Sequence, residues 1–237
     1  MLFRVKGSEV HRVLGQRYFR AIQLLGEQLQ ILVAASVGLF SASAHAQDWT
    51  GPYGGLTFGY SFGDATHSYS NAAPSGNSSP DGALFGGFLG YGVQSGNIVY
   101  GGEIDIDKNN TSGSFIDTTG STSGGTTEGD WQASIRGVVG VSAALAGKPA
   151  LYYATAGWAT GRFDFMGGPS AAPTNAFSDT LNGWTAGLGI DWRVETNTAV
   201  RLEYRYTDFG EGRGALAPGF PGVTMPVDVT QHAVRVG

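Results

Sequence analysis

Two short stretches of this 237-residue chain place a charge on every second residue, Glu103-Ile104-Asp105-Ile106-Asp107 and Arg201-Leu202-Glu203-Tyr204-Arg205. In a β-strand this spacing puts the charges on one face and the apolar residues on the other. Arg136, Asp191, Arg193 and Arg235 hold alternating positions of the same kind in three further segments, completing a set of five carboxylates and five guanidiniums. Such a set reads either as the ion-selective lining of a pore or as a closed network of ion pairs. A narrow space favours the network, because a buried charge without a partner is costly. Glu103-x-Asp105-x-Asp107-x-Asn109 also resembles a run of calcium ligands, but Asn110 stands where a calcium-binding helix-loop-helix requires Gly. Acids facing one side of a strand account for that spacing without a metal.

Other catalytic chemistry is sparse. Beyond residue 46 the chain has two histidines, His67 and His232. His67 lies in a Ser/Asn-rich stretch and reads as a solvated loop side chain. A serine without a positioned base is not activated. No catalytic residue, metal site or cofactor is assigned.

The elements that carry these charges follow from composition and periodicity. Glycine contributes 39 residues and cysteine none, with 14% charged and 12% aromatic residues. An average domain is about a quarter charged. Glycine at this level opposes long helices, and the absence of Cys excludes disulfide-stapled and thiolate-metal folds. Residues 1–46 read as a leader. Arg4, Lys6, Arg12, Arg17 and Arg20 precede the apolar run Ile31 to Phe40, and Ala44 and Ala46 flank His45 as a cleavage site. The basic region is long, and no Met occurs between Met1 and Met166, so a start inside it would use another codon. Removing five basic and two acidic residues from totals of 14 and 19 leaves nine and 17, a net charge of −8. That balance argues against nucleic acid as a partner.

Residues 47–237 alternate with period two in eight segments. Leu56, Phe58, Tyr60 and Phe62 share one face, as do Phe85, Leu89, Tyr91 and Val93. Ile98, Tyr100, Ile104 and Ile106 do so in the third segment, and Trp131, Ala133, Ile135, Val139 and Val141 in the fourth. Segment 150–163 is apolar on both faces and its phase stays open. Trp184, Ala186, Leu188, Ile190 and Trp192 follow, then Val200, Leu202, Tyr204 and Tyr206, and last His232, Val234 and Val236. The links alternate between long ones at 63–82, 109–128, 164–180 and 211–228 and short ones at 94–97, 143–149 and 195–198. Ten residues at about 3.3 Å each, tilted near 45°, span roughly 24 Å, the height of a bilayer's apolar band. An all-β, eight-stranded antiparallel up-and-down transmembrane barrel is predicted, with apolar residues facing lipid and charges facing the lumen. A soluble β-sandwich would leave the leader and the alternation of loop lengths unexplained.

Certain strings resemble a known family: Asp48-Trp49-Thr50-Gly51-Pro52-Tyr53-Gly54-Gly55, Tyr152-Tyr153-Ala154-Thr155-Ala156-Gly157-Trp158-Ala159, and Gly183-Trp184-Thr185-Ala186-Gly187-Leu188-Gly189. With Glu203-Tyr204-Arg205-Tyr206-Thr207-Asp208-Phe209-Gly210, they are similar to the porin-like, opacity-type surface antigens of alphaproteobacterial outer membranes. The resemblance covers residues 48–237. It implies periplasmic termini and four long outward loops centred near Ser75, Gly120, Ser170 and Pro218. It also implies partners: outer-membrane lipid and lipopolysaccharide, the assembly machinery, and a host or surface ligand at the loops. Such barrels end on an aromatic residue, so Arg235-Val236-Gly237 is expected to stop about four residues short of a full strand. The expected role is a structural, surface-exposed antigen, with a small-solute channel as the alternative. A lipid-modifying enzyme is a further alternative, although lipid A deacylases pair His with a Ser two residues on and this chain has Val234 there.

Overall fold

The computed structural model describes residues 48–68, 76–117, 123–169, 175–215 and 224–237, and every regular element among them is a strand. In chain order these are β1 (Gly51–His67), β2 (Gly76–Ser78), β3 (Asp81–Ser95), β4 (Ile98–Asp117) and β5 (Ser123–Leu145). They continue with β6 (Lys148–Pro169), β7 (Asn175–Glu195), β8 (Thr198–Ala215) and β9 (Thr224–Val236). All neighbours pair antiparallel, and β1 pairs with β9 to close the ring. Strand β2 keeps the register of β3 against β1, since Ala65 faces Ser78 as Phe62 faces Asp81. The two are one wall strand interrupted at Ser79-Pro80, where proline has no N–H to give to a ladder. Eight walls therefore form the barrel.

Its stagger follows from the register. Stepping from partner to partner, Pro52 leads through Tyr91, Gly102, Gly137, Ala156, Ala186, Tyr206 and His232 to Phe62. One circuit thus climbs ten residues along β1. With strands about 4.8 Å apart, this offset sets a tilt of ~40° and a backbone radius of roughly 8 Å. At that radius, side chains from facing walls meet near the axis.

Short turns join the strands at one end. Residues 96–97, 146–147 and 196–197 are two-residue turns. Ala146 and Gly147 have φ of 51° and 77°, and two successive positive values match the hairpin turn whose twist suits its strands. The other end departs from the sequence reading. Stretches expected as long links are largely strand: β4 runs to Asp117, β6 to Pro169 and β8 to Ala215. From Ile106 to Asp117, at ~3.3 Å per residue and ~40° tilt, the wall rises roughly 28 Å beyond the apolar band. Beyond that band both faces of a strand can be polar, so Gly, Ser and Thr there mimic loop composition. The predicted loop centres Ser75, Gly120, Ser170 and Pro218, and the leader with Ala44 and Ala46, lie outside the described residues.

The outer surface carries the apolar residues. Leu188 is 66% exposed and Ile106 61%, and Leu89, Tyr91, Tyr100, Ile104, Ile135, Trp184 and Tyr204 are exposed as well. Phe58, Tyr60, Trp131, Trp192 and Tyr206 also point outward, partly covered by neighbours. Segment 150–163 acquires its phase here: Tyr152 and Trp158 face out, while Leu151, Tyr153, Ala159 and Phe163 are buried. From Trp131 to Val141 the band spans roughly 25 Å at this tilt. Strand β9 pairs with β1 from Phe58↔Val236 upward.

Candidate functional site

The lumen is the site, and it is built in three layers. The central layer is ionic. Its residues point inward because they occupy the odd positions of β4, β7, β8 and β9 and an even position of β5, opposite in phase to the lipid-facing set. Glu103, Asp105, Asp107, Arg136, Asp191, Arg201, Glu203, Arg205 and Arg235 are all buried. In the ring, β4 and β8 are four strands apart in either direction and so stand on opposite walls. Arg201 on β8 nevertheless reaches Glu103 on β4 at 2.7 Å, and Arg205 reaches Asp105 at 2.9 Å. These contacts cross the full lumen.

Other contacts tie the layer together. Arg201 forks onto Asp191, with Nε and Nη2 each at 2.8 Å from a carboxylate oxygen. Arg205 donates from Nε and Nη2 to Glu203 at 3.0 and 2.7 Å. Arg136 pairs with Glu103, and also lies 3.2 Å from both Asp105 and Glu203. Arg235 pairs with Asp107 and stands 3.6 Å from Asp105. Neutral groups complete the shells: Tyr153 donates to Glu203 at 3.0 Å, and Arg136 to Thr155 at 3.1 Å. Tyr153 can lie flat there because its register partner is Gly189, where a Cβ would sit 2.4 Å from the ring. Five carboxylates face four guanidiniums, leaving one formal negative charge in excess.

Arg193, the tenth residue of the expected set, is not in this layer. It stacks on the Trp49 ring at 4.3 Å and donates to the Asp48 carbonyl at 3.2 Å. Its place near the end of β7 puts it at the short-turn mouth, two residues below Asp191 on the same face. Trp49 itself closes that mouth. It packs on Val99, Val138, Leu151 and Tyr153, and its indole N–H donates to Ser142 at 3.1 Å. Periodicity could not reveal this role, because Trp49 precedes the first strand.

The third layer lies on the far side of the ions. Phe163, Phe165, Leu181, Phe209, Met225, Val227 and Val229 form a buried apolar cluster, with Phe177 against it. This explains why 150–163 reads as apolar on both faces: one face meets lipid, and the other meets the Trp49 cluster at Leu151 and Tyr153 and this cluster at Ala159 and Phe163. His67 borders the layer and is fully buried rather than solvated. Its strand extends five residues past the expected end, and odd positions of β1 point inward. His67 Nε2 contacts Ser78 and Thr127 at 3.0 and 3.2 Å. His232 faces outward, bonded through Nδ1 to Tyr204 at 2.7 Å and stacked on Phe62.

Known proteins place this architecture. The model of the outer membrane protein β-barrel domain matches residues 32–237. The 31 kDa outer-membrane immunogenic protein of Brucella melitensis is 29% identical, covering 87% of this chain and 97% of the relative. The 22 kDa outer membrane protein of Rhizobium leguminosarum bv. viciae is 35% identical over 69% of this chain and 66% of the relative. Among solved structures, the outer membrane protein OprG of Pseudomonas aeruginosa matches at 11% identity and a TM-score of 0.45, covering 82% of this chain and 98% of that one. The chain belongs to the outer membrane protein β-barrel domain family and is an integral protein of the Gram-negative outer membrane.

Proposed function

We propose that the protein is a non-conducting outer-membrane barrel that supports the envelope and presents its outer walls as a surface antigen. The observation that carries this reading is the pair of contacts across the lumen diameter, Arg201–Glu103 and Arg205–Asp105. A hydrated ion can pass only if these guanidiniums leave their carboxylates, and breaking a buried pair costs about 3–5 kcal/mol. The Trp49 seal on one side and the phenylalanine layer on the other add to that barrier. The Brucella relatives are named as immunogenic proteins, which supports surface exposure. The partners in this reading are the surrounding lipid and lipopolysaccharide, the assembly machinery, and a host or surface ligand met by the walls and loops. In this reading His232 is a packing residue of the outer face, bonded through Nδ1 to Tyr204 and packed on Phe62 and Tyr206.

A small-solute channel is the second reading. The excess negative charge of the ionic layer is the feature that favours it, because it would select cations. Planar-bilayer recording of the purified protein separates the two. No unitary conductance is expected, and steady cation-selective steps would overturn the closed lumen in favour of the channel.

A further inference from the structure

We infer that the outer end of the lumen is fastened by an acid-labile tie, in which His67 holds β2 and β5 onto β1 only while its imidazole is neutral. His67 ends β1 five residues beyond Phe62, the last outward apolar residue of that strand, and so stands above the apolar band. Its ring is fully buried. Nε2 lies 3.0 Å from the Ser78 hydroxyl of β2 and 3.2 Å from the Thr127 hydroxyl of β5, and the two hydroxyls are 3.3 Å apart. Strand β5 is three walls from β1 round the ring, so this triangle is a chord across the lumen rather than part of a ladder. Phe115 of β4 covers the imidazole at 4.8 Å between centroids, in a place where a Cβ on Gly125 would lie 2.6 Å from the phenyl ring.

The piece held most weakly by backbone is β2. Its ladder is three pairs long, from Ala65↔Ser78 to His67↔Gly76, and among the described residues β1 is its one ladder partner. Ser79-Pro80 separates it from β3. The bonds of Ser78 to His67 and Thr127 are therefore a large share of what keeps β2 in the wall.

Protonation would undo those bonds. A neutral imidazole has one donor and one acceptor nitrogen, whereas imidazolium donates from both. Nδ1 has no hydrogen-bond partner here, and Nε2 meets two hydroxyls. A buried positive charge needs a carboxylate beside it, and among the described side chains none faces the ring. Asp64 of β1, Glu128 of β5 and Asp228 of β9 are exposed, and β2 has no ionisable residue. Asp81 of β3 bonds Tyr60, and Lys108 of β4 pairs with Asp130 of β5 on the outer face. Asp117 ends β4 two residues past Phe115. The ionic layer meets β1 at Thr57, ten residues and roughly 30 Å down the strand. Stretches 69–75, 118–122, 170–174 and 216–223 hold no Asp, Glu, Lys, Arg or His, and Tyr69 is their one titratable residue.

The direction follows. An imidazole released into water takes a proton near pH 6.5, while burial without a counter-charge disfavours the charged form. At pH 8 both forms are neutral and the tie holds. As the pH falls below 6.5 opening gains, by about 30-fold at pH 5. The ionic layer below keeps the membrane-spanning ring closed while the outer end yields. The inference goes beyond a closed lumen, since it concerns when the outer end loosens rather than what crosses.

The full chain, refolded in phosphatidylcholine vesicles, is tested by amide hydrogen exchange read by mass spectrometry at pH 8 and pH 5, corrected for the intrinsic pH dependence of exchange. In the wild type, protection of residues 76–78 and 123–127 is expected to fall by about 30-fold at pH 5. His67→Gln and His67→Phe cannot take up the proton, and each is expected to show equal protection of these residues at the two pH values. Residues 201–207 of β8 should stay protected throughout, which reports a folded barrel. Equal protection at both pH values in the wild type would overturn the tie. So would a drop that persists in whichever variant keeps β8 protected, or a drop in the wild type that extends to β8.

Discussion

Replacing Arg205 with Met removes the guanidinium that spans the lumen while keeping an unbranched chain of similar reach. The group makes three charge-assisted bonds, two to Glu203 at 3.0 and 2.7 Å and one to Asp105 at 2.9 Å. Each such bond contributes about 1.5–3 kcal/mol. Both carboxylates keep other cations, since Arg136 lies 3.2 Å from each, which offsets part of the loss. An expected destabilisation of about 3–5 kcal/mol results, the range for breaking a buried pair. The layer would then hold five carboxylates against three guanidiniums. Urea unfolding of the refolded barrel from lipid vesicles, followed by tryptophan fluorescence, measures the change. Lys108→Met is the internal control: its pair with Asp130 is exposed, and less than about 1 kcal/mol is expected. Adding Asp105→Asn to Arg205→Met should cost less than the two single losses together, by roughly 0.5–3 kcal/mol of coupling. If Arg205→Met costs no more than Lys108→Met, water screens the layer and the argument for a closed lumen fails.

Two further outcomes are expected. Leu188, midway between the outward Trp184 and Trp192 of β7, should tolerate no cation: Leu188→Arg is expected to cost about 2–4 kcal/mol in the same unfolding assay, and a neutral effect would place that face in water. Trp49→Ala removes a half-buried indole together with its bond to Ser142 and its stack under Arg193, so a loss of about 2 kcal/mol is expected, some half of that for a fully buried Trp; an unchanged unfolding midpoint would show that the mouth is held shut by other residues.

Individual residues show how far the chain can be read unaided. Glu103 to Asp107 and Arg201 to Arg205 declare their faces because ions and hydrocarbon alternate there, and a strand has no other way to separate them. Segment 150–163 stays ambiguous because Leu151, Tyr153 and Phe163 line apolar parts of the lumen, so both faces look alike. His67 is misread for a related reason. Its surroundings have loop composition, yet β1 continues through them and buries the ring beside Ser78 and Thr127.

Period-two hydrophobicity and the alternation of polar stretches with short turns were enough to specify a lipid-facing eight-stranded ring, because each depends only on neighbours along the chain. Partnership across the lumen depends on stagger and radius, which emerge only when the ring closes from β9 onto β1. That closure sets Arg201 and Arg205 against the acids of the opposite wall and leaves Arg193 at the mouth with Trp49. The alternation of residues states which face each side chain takes; only the closed barrel decides which side chain it meets, since contacts between residues as distant as Asp107 and Arg235 are set by three-dimensional register.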